Sequence, residues 1–150
     1  MVKAEPDTEV ELRARALRLL ARREHSRREL ARKLSPRAES PDALNGLLDS
    51  LESKKQLSDE RFAAERARVL SRKFGAARIR QDLKTKGVDR ETVDRISSEG
   101  ELERARGILD RKYRQPAASR EEKAKRMRFL QSRGFSSEVI RSLLSSRDAD

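Results

Sequence analysis

Cysteine and tryptophan are absent from this chain of 150 residues, and four phenylalanines and one tyrosine make up its whole aromatic content. Without cysteine there are no disulfides and no thiolate metal sites, which fits a reducing compartment. No apolar run approaches the roughly 18 residues of a membrane span, and the opening MVKAEPDTEV has no signal-peptide core. A cytoplasmic protein without a membrane partner is expected. No G-x-x-x-x-G-K-[ST], no G-x-G-x-x-G and no metal-spaced His/Cys cluster occurs, so a non-enzymatic chain without cofactors is expected. Aromatics at 3% supply a poor stacking platform for nucleobases.

Charge is abundant instead. Charged residues make up 42% of the chain and hydrophobic ones 35%, against about 25% and 45–50% in an ordinary domain. A single thick core is therefore not expected. Lys and Arg exceed Asp and Glu by 37 to 26, a net charge of +11 that attracts polyanions. Part of this charge has a plainer use. Glu11/Arg15, Glu29/Lys33, Asp110/Arg114, Glu121/Lys125 and Glu122/Arg126 have the i,i+4 spacing of pairs that support a helix and need no ligand. Arginine outnumbers lysine 27 to 10, which suits bidentate contacts to phosphate or carboxylate.

Helical periodicity runs from Thr8 onward in nine apolar stripes, with no convincing strand. They are Leu17/Leu20/Ala21, Leu30/Leu34, Leu44/Leu47/Leu48/Leu51, Phe62/Ala63/Ala67/Leu70, Ile79/Leu83, Val93/Ile96, Leu102/Ala105/Ile108/Leu109, Met127/Leu130 and Ile140/Leu143/Leu144. Start signals agree: Ser26-x-x-Glu29 and Ser119-x-x-Glu122 read as capping boxes, Ser40-Pro41 as an N-cap with proline at N1, and Ser58-Asp59 as a further start.

Two near-copies, TKGVDRETV at 85–93 and SRGFSSEVI at 132–140, show how consecutive helices join. Gly87 and Gly134 stand where a helix ends in a left-handed residue, with Val88 or Phe135 touching Leu83 or Leu130 in a Schellman ending. Asp89 and Ser136 then cap the next helix, and Val88/Val93 and Phe135/Ile140 have staple spacing. A longer repeat encloses these corners. REHSRRELARKL at 23–34 aligns with RKFGAARIRQDL at 72–83, matching Ser26 to Gly75, and RKYR at 111–114 begins the pattern again. Three units of three helices result: 9–56, 57–98 and 99–146, with flexible termini at 1–8 and 147–150. Units so small and charged need neighbours to bury their stripes. The expected fold is all-α, tandem three-helix repeats stacked into an elongated, curved array, with a compact helical bundle as the alternative.

His25, the one histidine, falls just before the Ser26 cap where Phe74 stands in the next unit, so packing explains it better than catalysis. Asp59 sits where a helix start ordinarily carries an acid. With Leu30/Leu34, Ile79/Leu83 and Met127/Leu130 facing inward, the opposite faces carry Arg28, Arg32, Arg78, Lys84, Arg126 and Arg133, candidates for one basic stripe that meets DNA or a partner.

REHSRREL, LSDERFA, FGAARIRQDLKTKGV and FLQSRGFSSEVI, in this order and spacing, resemble the RecX family of bacterial regulators of the recombinase RecA. The resemblance runs from about Leu12 to Leu144. It implies a non-enzymatic repeat protein that binds the groove of the RecA–single-stranded DNA filament and limits its growth, ATPase, strand exchange and coprotease activity, modulating repair and the SOS response. A monomer is expected, on grounds separate from the resemblance. A general nucleic-acid-binding helical-repeat protein, indifferent to sequence, is the alternative, and single- or double-stranded DNA is an expected partner through the basic surface. Only architectural positions carry over: Glu29, Leu30, Asp59, Phe62, Gly75, Ile79, Leu83, Gly87, Gly134 and Phe135. The chain departs from the pattern at SKKQLSD, where related sequences often place a glycine before the turn and an acid at position 58.

Overall fold

The computed structural model describes residues 5–148, with side chains through residue 145. All regular structure among these residues is helical. The elements are α1 (Glu9–Arg22), α2 (Arg27–Leu34), α3 (Pro41–Ser53), α4 (Asp59–Leu70), α5 (Ala76–Thr85), α6 (Arg90–Asp94), α7 (Glu101–Lys112), α8 (Arg120–Ser132) and α9 (Ser137–Asp148), with a 3-10 turn at Ser35–Arg37 after α2. The all-α, three-helix repeat is therefore present as expected.

Packing groups the chain into two compact units that do not follow the repeat boundaries. One comprises residues 1–65 and 83–93, the other residues 66–82 and 94–150. The middle repeat is thus shared between them. Its third helix, α6, has only five residues, too short to close a core with α4 and α5 alone.

In the first unit Leu12, Ala16, Leu30, Leu34, Leu44, Leu47, Leu48, Leu51 and Leu57 form one cluster. The stripe of α1 lies nearer its N-terminus than expected: Leu12 and Ala16 are buried, Leu17 and Leu20 only partly, and Ala21 is exposed. A small Ala16 allows close approach that a reading by leucines alone overlooks. The segment before α1 is held as well. The Asp7 amide donates to the Arg37 carbonyl at 2.8 Å, its carboxylate accepts from Arg15 Nε at 2.8 Å, and Thr8 and Glu11 form a reciprocal capping box. Residues 5–8 therefore depart from the expected flexible terminus. At the other end α9 continues to Asp148, and residues 149–150 lie outside the described residues.

In the second unit Ala105, Ile108, Leu109, Leu130, Phe135, Ile140, Leu143 and Leu144 make the core, with Leu102, Tyr113, Met127, Phe129 and Val139 packed against it. Ile96 does not extend the stripe of Val93, because α6 stops at Asp94; its carbonyl instead accepts from Arg80 Nη2 at 2.6 Å.

Both corners take the expected form. Gly87 and Gly134 have φ of 77° and 88°. Val88 donates to the Leu83 carbonyl and Gly87 to that of Lys84, both at 3.0 Å; Phe135 donates to Leu130 at 3.2 Å and Gly134 to Gln131 at 3.0 Å. These are the paired bonds of the Schellman ending. A third such corner lies in SKKQLSD, where Lys55 adopts φ 61°, Gln56 donates to Leu51 and Lys55 to Glu52. A lysine here occupies a conformation that favours glycine.

Capping is simpler than expected at two starts. Ser26 and Ser119 each accept the amide three residues on, but Glu29 is engaged by Arg23 and Glu122 accepts from Ala118. The Glu11/Arg15 couple gives way similarly: Glu11 serves Thr8, and Arg15 serves Asp7. A fixed partner outside the helix competes well with a solvated neighbour on it.

Candidate partner and nucleic-acid interface

Helix starts within each unit are tied to later segments by a repeated pair of contacts. At the start of α2, Ser26 Oγ donates to the Lys86 carbonyl at 2.8 Å, and the Arg27 amide donates to Asp59 Oδ1 at 2.8 Å. At the start of α5, the Gly75 amide donates to the Arg133 carbonyl at 2.7 Å, and the Ala76 amide to Glu101 Oε1 at 2.7 Å. In each case the carbonyl belongs to the residue just before a corner glycine, and the acid is the first residue of a helix one repeat later. Asp59 also accepts the Asp89 amide at 3.2 Å. Two otherwise unpaired helix-start donors are thus satisfied, and the carboxylates lie at the positive end of the helix dipole.

The architectural residues fall into this frame. Leu30, Phe62, Ile79, Leu83 and Phe135 are buried. A Cβ on Gly75 would lie 2.5 Å from the Gly134 oxygen, and one on Gly134 would meet the backbone of Arg78. The neighbouring segment approaches too closely for any side chain. Glu29 accepts two bonds from Arg23, which hold its carboxyl down to about 2.

His25 is only 1% exposed. With its proton on Nδ1, the ring donates to the Arg23 carbonyl at 3.0 Å and accepts from Lys33 Nζ at 2.9 Å through Nε2. Burial first, then the nearby charges of Arg23 and Lys33, push its pKa below the usual value. The ring is a neutral structural connector. Among the described residues no group of three or more His, Cys, Asp or Glu is placed to hold a metal.

The six candidate basic residues separate into groups. In the first unit Arg28 and Arg32 line a groove of ≈ 490 Å³ with Glu29, Ser35, Thr85 and Lys86; Lys84 is exposed in the last turn of α5. In the second unit Arg78 is exposed, lies 4.9 Å from the centroid of Phe74 and donates to the Ser132 carbonyl at 2.8 Å. Arg133 is half-buried, 5.3 Å from Phe74 and 5.1 Å from Phe129.

Arg126 contradicts the expected surface position. It is 6% exposed, its guanidinium lies 4.5 Å from the Tyr113 centroid, and Nη2 donates to the Gln115 carbonyl at 2.8 Å. The segment 113–119 folds back over α8, so an arginine assigned to the outer face is enclosed. Sequence reasoning also missed Glu101 and Lys86, which only tertiary contact reveals, and the grouping of Phe74, Tyr113 and Phe129 among cations. The basic tetrapeptide RKYR around the lone tyrosine was the available signal.

Consecutive helical hairpins closed by glycine corners and tied by helix-start carboxylates define a tandem three-helix repeat protein. Its parts match the first three-helix domain of RecX at residues 13–51, the second at 58–95 and the third at 99–144. Relatives share most of this length. Regulatory protein RecX of Leptothrix cholodnii is 44% identical over 144 residues, covering 93% of this chain and 91% of the relative. Its namesake from Ralstonia nicotianae is 40% identical over 147 residues, covering 96% and 92%. The crystal structure of RecX from Lactobacillus salivarius superposes with a TM-score of 0.83 at 19% identity, covering 95% of this chain and 97% of that one. A second RecX crystal structure gives 0.72 at 22% identity, covering 92% and 73%. The chain belongs to the RecX family.

Proposed function

We propose that this chain is a negative regulator of RecA that acts in the cytoplasm by binding the recombinase filament on single-stranded DNA. There it restrains filament growth, ATP hydrolysis, strand exchange and coprotease activity, as a binding protein without chemistry of its own. The supporting observation is the match to all three RecX domains, in order, along residues 13–144. The cations Arg28, Arg32, Arg78 and Lys84 suit a partner that carries nucleic acid.

The test is ATP hydrolysis by preformed RecA–single-stranded DNA filaments, titrated with this protein at near-physiological salt in the presence of excess naked DNA. Hydrolysis falls at substoichiometric protein if the filament is the target. No fall before the naked DNA is saturated refutes the reading.

The net charge of +11 favours one other reading, a general nucleic-acid binder. Neutralising about six phosphates gives a log–log salt slope near −5. Filament binding with a much shallower slope than naked-DNA binding excludes it.

A further inference from the structure

Six cation–ring contacts converge on three rings of the second unit. Arg78 and Arg133 flank Phe74 at 4.9 and 5.3 Å; Lys112 and Arg133 lie 4.1 and 5.1 Å from Phe129; Arg126 and Lys112 lie 4.5 and 5.8 Å from Tyr113. Tyr113 and Phe129 meet edge to face at 6.1 Å. The three rings are half-buried. Significant cation–π pairs occur about once per 70–80 residues, so this density in a single unit is more than ordinary packing requires. It also gathers three of the chain's five aromatic rings.

Two further features point outward from this ladder. A recess of ≈ 330 Å³ adjoins Tyr113, lined also by Pro116, Glu122, Lys125 and Arg126. Arg126 forms no ion pair with a carboxylate among the described residues, and its buried Nε has no hydrogen-bond acceptor there. Glu122, the carboxylate lining the recess, is engaged by the Ala118 amide and makes no ion pair with Arg126. A nearly enclosed guanidinium without a direct ion pair is costly, and an anion contacting it from the recess would relieve it. Lys112, in contrast, is exposed at the end of α7. Its ammonium can leave the ring for a phosphate without uncovering a buried charge.

From this geometry we infer that the Phe74–Phe129–Tyr113 ladder is a binding surface for single-stranded DNA, on which nucleobases stack while the interleaved cations hold the phosphates. Arginine planes and aromatic faces both accept unpaired bases. A base takes the place of Lys112 over Phe129 or Tyr113, Lys112 moves to the backbone phosphate, and Arg133, held by Phe74, Phe129 and the Lys73 carbonyl at 3.5 Å, stays in position. The inference rests on the reading that the chain meets a DNA-bearing filament, and it names the part that meets the DNA.

Tyr113 is the only tyrosine and there is no tryptophan, so intrinsic tyrosine emission reports on this site alone. The experiment titrates the full chain with a short oligothymidylate at near-physiological salt, and in parallel with an abasic deoxyribose-phosphate chain of equal length. Saturable quenching by the oligothymidylate is expected, with little from the abasic chain. Phe129→Leu, with helix content checked by circular dichroism, should weaken oligothymidylate binding about tenfold and leave abasic binding within twofold. Lys112→Ala should weaken both. Equal response to the two chains, absence of binding, binding without quenching, or an unaffected Phe129→Leu variant each overturns the inference. An acidic peptide that quenches and competes as well as the oligothymidylate overturns it too. No recombinase is present, so failure here with intact inhibition of filament ATPase removes only the ladder; quenching without inhibition removes only the proposed function.

Discussion

The Glu101 carboxylate, 6% exposed, accepts the Ala76 backbone amide at 2.7 Å. Asp59 does the same for Arg27, so the contact recurs at the corresponding helix start one repeat earlier. Each acid serves two helices: it opens its own and satisfies the first amide of another.

Truncation at Glu101 removes a charged acceptor from a buried amide, a loss of about 2 kcal/mol. Glu101→Ala should lower unfolding stability by that amount, and Glu101→Gln should recover part of it, since an amide oxygen still accepts. Denaturant melts decide the matter: equal stability of Glu101→Ala and the parent would remove the clasp.

Gly134→Ala should cost more than ~1 kcal/mol, because a Cβ strains the left-handed backbone and meets Arg78 as well. Lys55→Gly should act oppositely. At φ 61° the lysine carries strain that glycine lacks, and the exchange should stabilise by up to about 1 kcal/mol after the entropy cost of glycine. Thermal melts of the two variants moving in the same direction would contradict the corner geometry.

His25 and Glu29 each make the first unit acid-sensitive, beside Asp7, whose carboxyl the hydrogen bond from Arg15 holds below its ordinary value. His25 has a lowered pKa in the folded chain, so the unfolded chain takes up the proton first, and stability is lost as pH falls below the ordinary histidine value of about 6.5. Glu29 is held to about 2 by Arg23, and its contribution, complete above the ordinary carboxylate range, fades as pH falls from there toward 2. Melts between neutral pH and pH 3 should show both losses. His25→Phe should suppress the earlier one, and a profile unchanged by that substitution would discount the histidine.

Arg32→Glu and Lys84→Glu change exposed positions and should shift stability by less than about 0.5 kcal/mol. Arg126→Glu should destabilise by about 3 kcal/mol, since it places a carboxylate in a site closed around a cation. Comparable melts for all three variants would return Arg126 to the surface.

Most of the fold is legible in local signals of the chain. Leu30/Leu34, Leu44/Leu47/Leu48/Leu51 and Ile140/Leu143/Leu144 stand at helical spacing and are buried. Gly87 and Gly134 mark corners that form as expected. These features depend on backbone geometry within about six residues, which is why residue type and spacing suffice for them. The family pattern is likewise written in such stretches.

Long-range enclosure is what spacing could not supply. Arg126 looks exposed on a helical wheel, yet segment 113–119 covers it; Ala21 looks apolar, yet Leu12 and Ala16 take the core; Glu101 looks like one acid among many, yet it reaches the start of α5. The sequence by itself determined helices, corners and repeats, because hydrogen bonding and side-chain period act locally. Only the tertiary structure decided which charges are enclosed, which helix starts are clasped, and that scattered Phe74, Tyr113 and Phe129 share one set of cations, because burial and Coulomb partners depend on residues far apart in the chain.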